Sequence, residues 1–368
     1  MVAESGQTYY TPRNILITGG AGFIASHVAC KLALKYPEYQ IHVFDKLDYC
    51  GSLKNLDAIA SRPNFQFTKG DLQCGDLLSY LLSSKKIDTV LHFAAQTHVD
   101  NSFGNSLAFT VNNTYGTHVL LESCRMYGGV RRFINVSTDE VYGERSYGLD
   151  EGLAEDATLE PTNPYSAAKA GAEMIAKAYM TSYRLPVVTT RSNNVYGPRQ
   201  FPEKLIGKFA LLASRHEDLP IHGDGQATRS YLYIDDVVEA YDIILHHGTD
   251  GQTYNIGSQM ERTVINVAQD VLRHMGLPTE NIRHVRDRAF NDRRYFVCDK
   301  KLARLGWHEK TEWKEGLAKT VEWYRIHGLS GYWDDDAVEK SLDAHPTFFA
   351  SQSALDMPAH GLPKPGLS

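Results

Sequence analysis

Asn14-Ile-Leu-Ile-Thr18, followed at once by Gly19-Gly20-Ala21-Gly22-Phe23-Ile24, decides the fold. A short apolar run that ends in small residues reads as a buried strand turning sharply into a helix. Helical spacing continues through Val28 and Leu32 and stops near Pro37. Ile41-His-Val-Phe44 then reads as a second strand, ending at Asp45. Strand, helix and strand in this order form a parallel β-α-β unit. Small residues at Gly19, Gly22 and Ala25 let backbone N–H groups approach a pyrophosphate at the helix start, where the dipole favours negative charge. Asp45 can accept both ribose hydroxyls of an adenosine, and its charge repels a 2′-phosphate. The expected cofactor is therefore NAD rather than NADP, with the adjacent Lys46 pulling the other way.

Working outward, Phe65–Thr68, Thr89–Phe93, Phe133–Val136 and Val187–Thr190 read as further strands, most of them separated by helical stretches. Such alternation implies a parallel sheet covered on both faces. Residues 191–228 are rich in Gly, Pro and charge, as suits a substrate loop region. Tyr231–Ile234 reads as a strand, and Asp235 as the cap of a helix Asp236–His246. Thr253–Ile256 is strand-like and precedes a helix over 263–275 and an Arg-rich stretch, Arg283 to Arg294. The expected fold is α/β: a Rossmann-type doubly wound parallel sheet with a smaller C-terminal α/β substrate-binding domain. Its divisions are an NAD-binding domain over 12–190, with 229–258 returning to it, and a substrate domain over 191–228 and 259–333. Residues 334–368 are polar, with little periodicity, and read as a partly disordered tail.

The 368 residues are 42% hydrophobic and 22% charged, the composition of an ordinary globular chain. A net charge of −6 offers no general basic surface, which argues against a nucleic-acid partner. No apolar run approaches bilayer length, and the polar start lacks a secretory h-region, so the expected location is cytoplasmic, away from membranes. Cys30, Cys50, Cys74, Cys124 and Cys298 are odd in number and widely spaced, which reads as reduced, mostly structural thiols. His92 and His98 have no carboxylate or cysteine cluster at ligand spacing, so no catalytic metal is expected.

Two short stretches carry the chemistry. Pro164-Tyr165-Ser-Ala-Ala-Lys169 sets Tyr165 and Lys169 four residues apart on one helix face. An ammonium there favours phenolate, so Tyr165 is expected to titrate below its ordinary value and serve as a base. By itself the pair could equally be two residues of a surface helix. Ser137-Thr138-Asp139-Glu140 comes directly after a strand, where open α/β sheets place their ligands. Neighbouring carboxyls there suggest a shared acid/base task, since repulsion and burial push their pKa values apart; in isolation the cluster also fits a turn. Lys204, Arg229, Arg288 and Arg294 are candidates for an anionic substrate such as a diphosphate, with Asn194 and Asn255 as uncharged partners.

Together these residues resemble the extended short-chain dehydrogenase/reductase family, and within it the nucleotide-diphosphate-glucose 4,6-dehydratases. The resemblance covers residues 12–330 and rests on Thr-Gly-Gly-Ala-Gly-Phe-Ile (18–24), Asp-Lys-Leu-Asp-Tyr (45–49), His-Phe-Ala-Ala-Gln-Thr-His-Val-Asp (92–100) and Ser-Thr-Asp-Glu-Val-Tyr-Gly (137–143). Tyr165 with Lys169, Asn-Asn-Val-Tyr-Gly-Pro (193–198), Phe-Pro-Glu-Lys-Leu (201–205) and Asn-Asp-Arg-Arg-Tyr (291–295) complete it. Stretches such as Asp100-Asn-Ser-Phe-Gly-Asn-Ser106 and Pro220-Ile-His-Gly-Asp-Gly225 are most similar to the UDP-glucose 4,6-dehydratase domain of plant rhamnose synthases. Ala25 replaces the usual third glycine, and Ala289 stands where Pro commonly comes after Arg288.

The resemblance implies NAD held by Gly19, Gly22, Phe23, Ile24, Asp45, Lys46, Asp71, Leu72, Phe93, Ala94, Ala95, Tyr165 and Lys169. It implies a nucleotide sugar, UDP-glucose or dTDP-glucose, against His98, Asn194, Lys204, Leu205, Arg229, Asn255, Arg288, Asn291 and Tyr295. Tyr165, supported by Lys169, would take the C4 hydroxyl proton as C4 is oxidised. Glu140 would remove the C5 proton, Asp139 would protonate the departing C6 hydroxyl, and Thr138 would bond near C4. Hydride would return to C6. No second domain comes after these residues, so the chain is expected to stop at the keto sugar. The family's paired helices, here near 106–126 and 164–183, imply a homodimer. Competing readings are an NAD-dependent epimerase or decarboxylase, against which the acidic pair counts, and a non-catalytic NAD sensor, which has no need of Tyr165, Lys169 and the acids together.

Overall fold

The structure, a computed structural model, describes residues 9–146, 148–287, 292–328 and 331–344. Seven parallel strands make its main sheet: β1 (Asn14–Thr18), β2 (Gln40–Asp45), β3 (Phe65–Lys69), β4 (Thr89–His92), β5 (Arg132–Thr138), β6 (Val187–Ser192) and β10 (Thr253–Ile256). Their order is β10-β6-β5-β4-β1-β2-β3. The chain runs outward from β1 to β3 and then resumes on the other side at β4, so the order reverses between β1 and β4. Ligands of open α/β sheets bind outside the strand ends at such a reversal. Ile15, Ile17, Val43 and Leu91 are buried on the sheet, and helices cover both faces.

β7 (Asn194–Tyr196), β9 (Thr228–Tyr233), β11 (Glu261–Thr263) and β13 (Arg294–Tyr295) form a smaller sheet, and β8 (Leu219–His222) pairs with β12 (Ile282–Val285). This corrects the expected division: β9 belongs to the smaller sheet, and the return to the main one begins with the helix Ile234–His247. That helix is entered from Tyr233 with no side-chain cap, so Asp235 does not cap it and lies in its first turn.

The helix Pro164–Tyr183 starts where its sequence dictates. Asn163 accepts from Ser166 N at 2.8 Å, Ser166 Oγ accepts from Asn163 N at 3.2 Å, and Pro164 fills the first turn. Ala168, Ala170, Ala172 and Ala176 form its buried side, small enough for close approach to the sheet. Opposite it, the helical stretch 106–127 is interrupted by a π-turn over Thr110–Tyr115. Asn113 in this turn exchanges two bonds with the Gln96 backbone, at 2.8 and 2.9 Å, and so fixes the loop after β4.

The expectation of a loose tail from residue 334 is corrected over its first part. Asp335–Leu342 is a helix, capped by Asp334, which accepts from Ala337 N at 2.9 Å. Ala337, Val338 and Leu342 are buried on the main core. Polar composition hid this short amphipathic turn. The rest of the expected tail, residues 345–368, lies outside the described residues.

Candidate active site

A cleft of about 870 Å³ runs across the C-terminal ends of the main sheet. At one end, Gly19 sits at φ +69°, and a Cβ there would come within 2.7 Å of the Ala94 backbone. Only glycine suits both the backbone angle and the close approach. Gly22 caps the helix Phe23–Lys35, whose first turn carries no acid, so its N–H groups face the cleft without a competing anion. Asp45 accepts from Ala21 N at 3.0 Å and from Leu47 N at 2.7 Å, and burial pushes its pKa up. Lys46 is turned toward Asp48 at 2.9 Å and Asn112 at 3.1 Å. Phe23, Ile24, Asp71, Leu72, Phe93, Ala94 and Ala95 line the same end. A dinucleotide fits this cradle: a bare helix start for the pyrophosphate, and a fixed carboxylate at the end of β2 for the ribose.

The middle of the cleft holds the acids. Thr138 is the last residue of β5, so Asp139 and Glu140 turn off the strand directly into the cleft. Asp139 takes a bond of 2.6 Å from Asn193 Nδ2 and one of 3.2 Å from Thr138 Oγ1. Burial, and after it the Glu140 charge, push its pKa up to about 7. Burial also raises Glu140, but Lys204, a 3.2 Å bond from Asn163 Nδ2, and Arg229 pull it back. Both acids are thus held toward the protonated form by burial; Arg229 opposes this at both, and Lys204 and Asn163 at Glu140.

Tyr165 and Lys169 both line the cleft and are buried. The expected lowering of the phenol pKa is not what the structure shows. Burial, and next the Glu140 charge, drive Tyr165 above its ordinary value, with a Thr138 hydrogen bond working against them. Lys169 Nζ instead donates to Val136 O at 2.6 Å, and burial lowers it to about 8. Helical spacing puts both residues on one face, but the long lysine stem reaches past the phenol to β5.

The substrate candidates separate. His98, Asn194, Lys204, Leu205, Arg229 and Tyr295 line the cleft. Lys204 Nζ donates to Thr97 O at 2.6 Å, and Arg229 donates to Asp292 O at 2.7 Å while stacking on Tyr295. Arg294 also lines the cleft, where Glu261 engages it in a two-pronged pair at 2.7 and 2.6 Å. Asn255 is corrected: it is fully buried, accepts from Tyr142 OH at 2.9 Å and donates to Leu153 O and Cys298 O, away from the cleft. Arg288 and Asn291 lie outside the described residues.

Sequence reasoning passed over Asn193, Asn163, Tyr49 and Glu203. Asn163 was legible as a helix cap. Asn193 was not, because its neighbour Asn194 is chemically identical and nothing local separates the two. A buried pair also went unread. Glu173, one turn beyond Lys169, takes bonds of 3.1 and 2.7 Å from Arg191, which also donates to Tyr142 OH at 2.6 Å. Arg191 therefore ties the helix of Tyr165 to the turn of Asp139 and Glu140.

The sequence profile of the GDP-mannose 4,6 dehydratase family matches residues 16–320. A trifunctional UDP-glucose 4,6-dehydratase/UDP-4-keto-6-deoxy-D-glucose 3,5-epimerase/UDP-4-keto-L-rhamnose-reductase of Arabidopsis thaliana is 59% identical over 338 residues, covering 92% of this chain and 50% of that protein. The chain thus spans about half the length of that relative. The dTDP-D-glucose 4,6-dehydratase of Homo sapiens is 46% identical over 340 residues, 91% of this chain and 95% of that one. Among solved structures, the dTDP-glucose 4,6-dehydratase DesIV of Streptomyces venezuelae, with NAD and TYD bound, superposes with a TM-score of 0.82 at 38% identity, over 88% of this chain and 99% of that one.

Proposed function

Because the chain belongs to the GDP-mannose 4,6 dehydratase family, we propose that it is an NAD-dependent nucleotide-sugar 4,6-dehydratase that converts UDP-glucose to UDP-4-keto-6-deoxy-glucose and water. The observation that carries the reading is the acid pair at the end of β5: Asp139 raised to about 7 beside Glu140, in the cleft that Tyr165 also lines. A hydride exchange at C4 alone has no use for two further carboxyls. When bound, NAD supplies the hydride acceptor and donor and one more positive charge. Tyr165 takes the C4 hydroxyl proton as C4 becomes a ketone. The ketone acidifies C5–H, whose proton Glu140 takes. Asp139 gives its proton to the C6 hydroxyl, which leaves as water; the hydride taken from C4 then returns to C6 as C5 takes back a proton from Glu140, and Thr138 bonds the Tyr165 phenol. Lys204 and Arg229 answer the diphosphate.

UDP-glucose is preferred over dTDP-glucose because the plant relative is the more similar of the two. The bases of the two substrates differ by one methyl group, worth about ten- to two-hundred-fold in discrimination, and their pentoses by one 2′-hydroxyl. Kinetics on both, with the keto sugar identified by NMR, test the reading. Higher kcat/KM on UDP-glucose is expected. A preference for dTDP-glucose reverses the choice of base, and consumption of neither removes the dehydratase reading.

The proposal extends to assembly. The helical stretches 106–127 and 164–183 expose Leu107 (77%), Met126 (69%) and Met174 (51%). A homodimer formed through these helices covers them. Light scattering at micromolar concentration should give twice the chain mass, and Leu107→Glu should shift it toward one. A parent protein of single mass would sink this part. No helix among the described residues is long and apolar enough to cross a membrane.

A further inference from the structure

The segment that comes after Asp45 carries Tyr49, whose hydroxyl donates to Glu203 Oε2 at 2.6 Å. Glu203 is 7% exposed, and a carboxylate is not buried without a partner. Asn101, on the short helix Val99–Gly104, donates to the same phenol oxygen at 3.4 Å. The Tyr49 ring stands edge-on to Phe201 at 5.4 Å. Burial, and next the Glu203 charge, hold the phenol well above its ordinary pKa, so it stays a donor. Three chain segments therefore meet at one oxygen. One of them begins at the ribose acceptor Asp45. Another continues into Lys204, the cation for the diphosphate, whose Nζ is itself tied to Thr97 O at 2.6 Å on the third.

We propose that the Tyr49–Glu203 bond is a latch between the cofactor side and the substrate side of the cleft, so that NAD and nucleotide sugar each slow the other's release. The inference rests on the dehydratase reading above and deepens it. A dehydratase takes a hydride from C4 and returns it to C6 of the same sugar, so cofactor lost in mid-cycle strands the oxidised intermediate. A bond that joins the two segments answers that need. Tyr49 and Glu203 are positioning residues here, acting through Asp45 and Lys204. Coupling of this kind is reciprocal: if the nucleotide tightens NAD, then NAD tightens the nucleotide by the same factor.

The test measures NAD dissociation from the full chain with and without saturating UDP, and again with dTDP. In the parent, the nucleotide should slow NAD loss. In Tyr49→Phe, which keeps the ring against Phe201, that slowing should shrink by about tenfold, the scale of one bond to a charged group. Glu203→Gln retains an acceptor oxygen and should lose less, and the double variant should be no worse than Tyr49→Phe. A packing role alone would weaken NAD equally with and without nucleotide, and that result overturns the latch. So does a parent whose NAD release ignores both nucleotides. A parent that binds neither NAD nor nucleotide overturns the dehydratase reading and the latch with it.

Discussion

Tyr165→Phe should lower turnover about 10²–10⁴-fold, the usual contribution of a positioned acid or base. The variant should also show no exchange of the C5 hydrogen with solvent deuterium. The second expectation is the sharper one. C5–H becomes acidic only after C4 is a ketone, so a block at C4 must silence C5 although Glu140 is intact. Folding should be spared, because the Phe ring keeps the edge-on contact that Tyr165 makes with Phe109 at 6.3 Å between centroids. The phenol is buried beside Glu140 and held above its ordinary value. To serve as a base the hydroxyl must first give up its own proton against that field, which the positive charge of bound NAD would ease. C5 exchange at the parent rate in Tyr165→Phe would show that another group starts the reaction.

The β-α-β unit was legible because each of its parts has a local cause. The middle of β1, Ile15-Leu16-Ile17, is apolar since both of its faces are covered, and the turn at Gly19 admits no side chain. The helix Pro164–Tyr183 announces itself through Asn163, Pro164 and Ser166, a cap written within four residues. The smaller sheet was harder to foresee. β7, β11 and β13 are two or three residues long, too short for an alternation to register, and they are defined by pairing with β9 rather than by their own pattern.

Within the site, placement on an element was readable and side-chain reach was not. Spacing put Lys169 beside Tyr165, yet the choice of Val136 O as its acceptor depends on how close β5 passes. Asn193 and Asn194 are neighbours of one type at the break between β6 and β7. Only the three-dimensional path sends Asn193 to Asp139 while Asn194 faces the cleft elsewhere. Asn255 illustrates the reverse error. An uncharged polar residue at the end of a strand looks like a ligand-binding group, but here it satisfies the Leu153 and Cys298 carbonyls inside the protein.

Glu140→Gln should leave oxidation at C4 possible and stop the elimination after it. Glutamine keeps the length of the side chain and a bond to Asn163, but it cannot take the C5 proton, so dehydration should fall about 10²–10⁴-fold and C5 exchange should be lost with it. Asp139→Asn should separate from this variant. With Glu140 in place, C5 exchange should continue while water is not expelled, because no proton reaches the C6 hydroxyl. The pH profile assigns the acid. Asp139, raised to about 7 by burial and by Glu140, works in its protonated form, so the parent's kcat should fall as pH rises above that value. The Asn193 bond stabilises the ionised form and lowers that pKa; Asn193→Ala should therefore move the alkaline limb to higher pH. Glu140→Gln removes the neighbouring negative charge, so the limb of its residual activity should move to lower pH. Undiminished C5 exchange in Glu140→Gln would transfer the base to another group, and a limb that stays put in both variants would take the acid from Asp139.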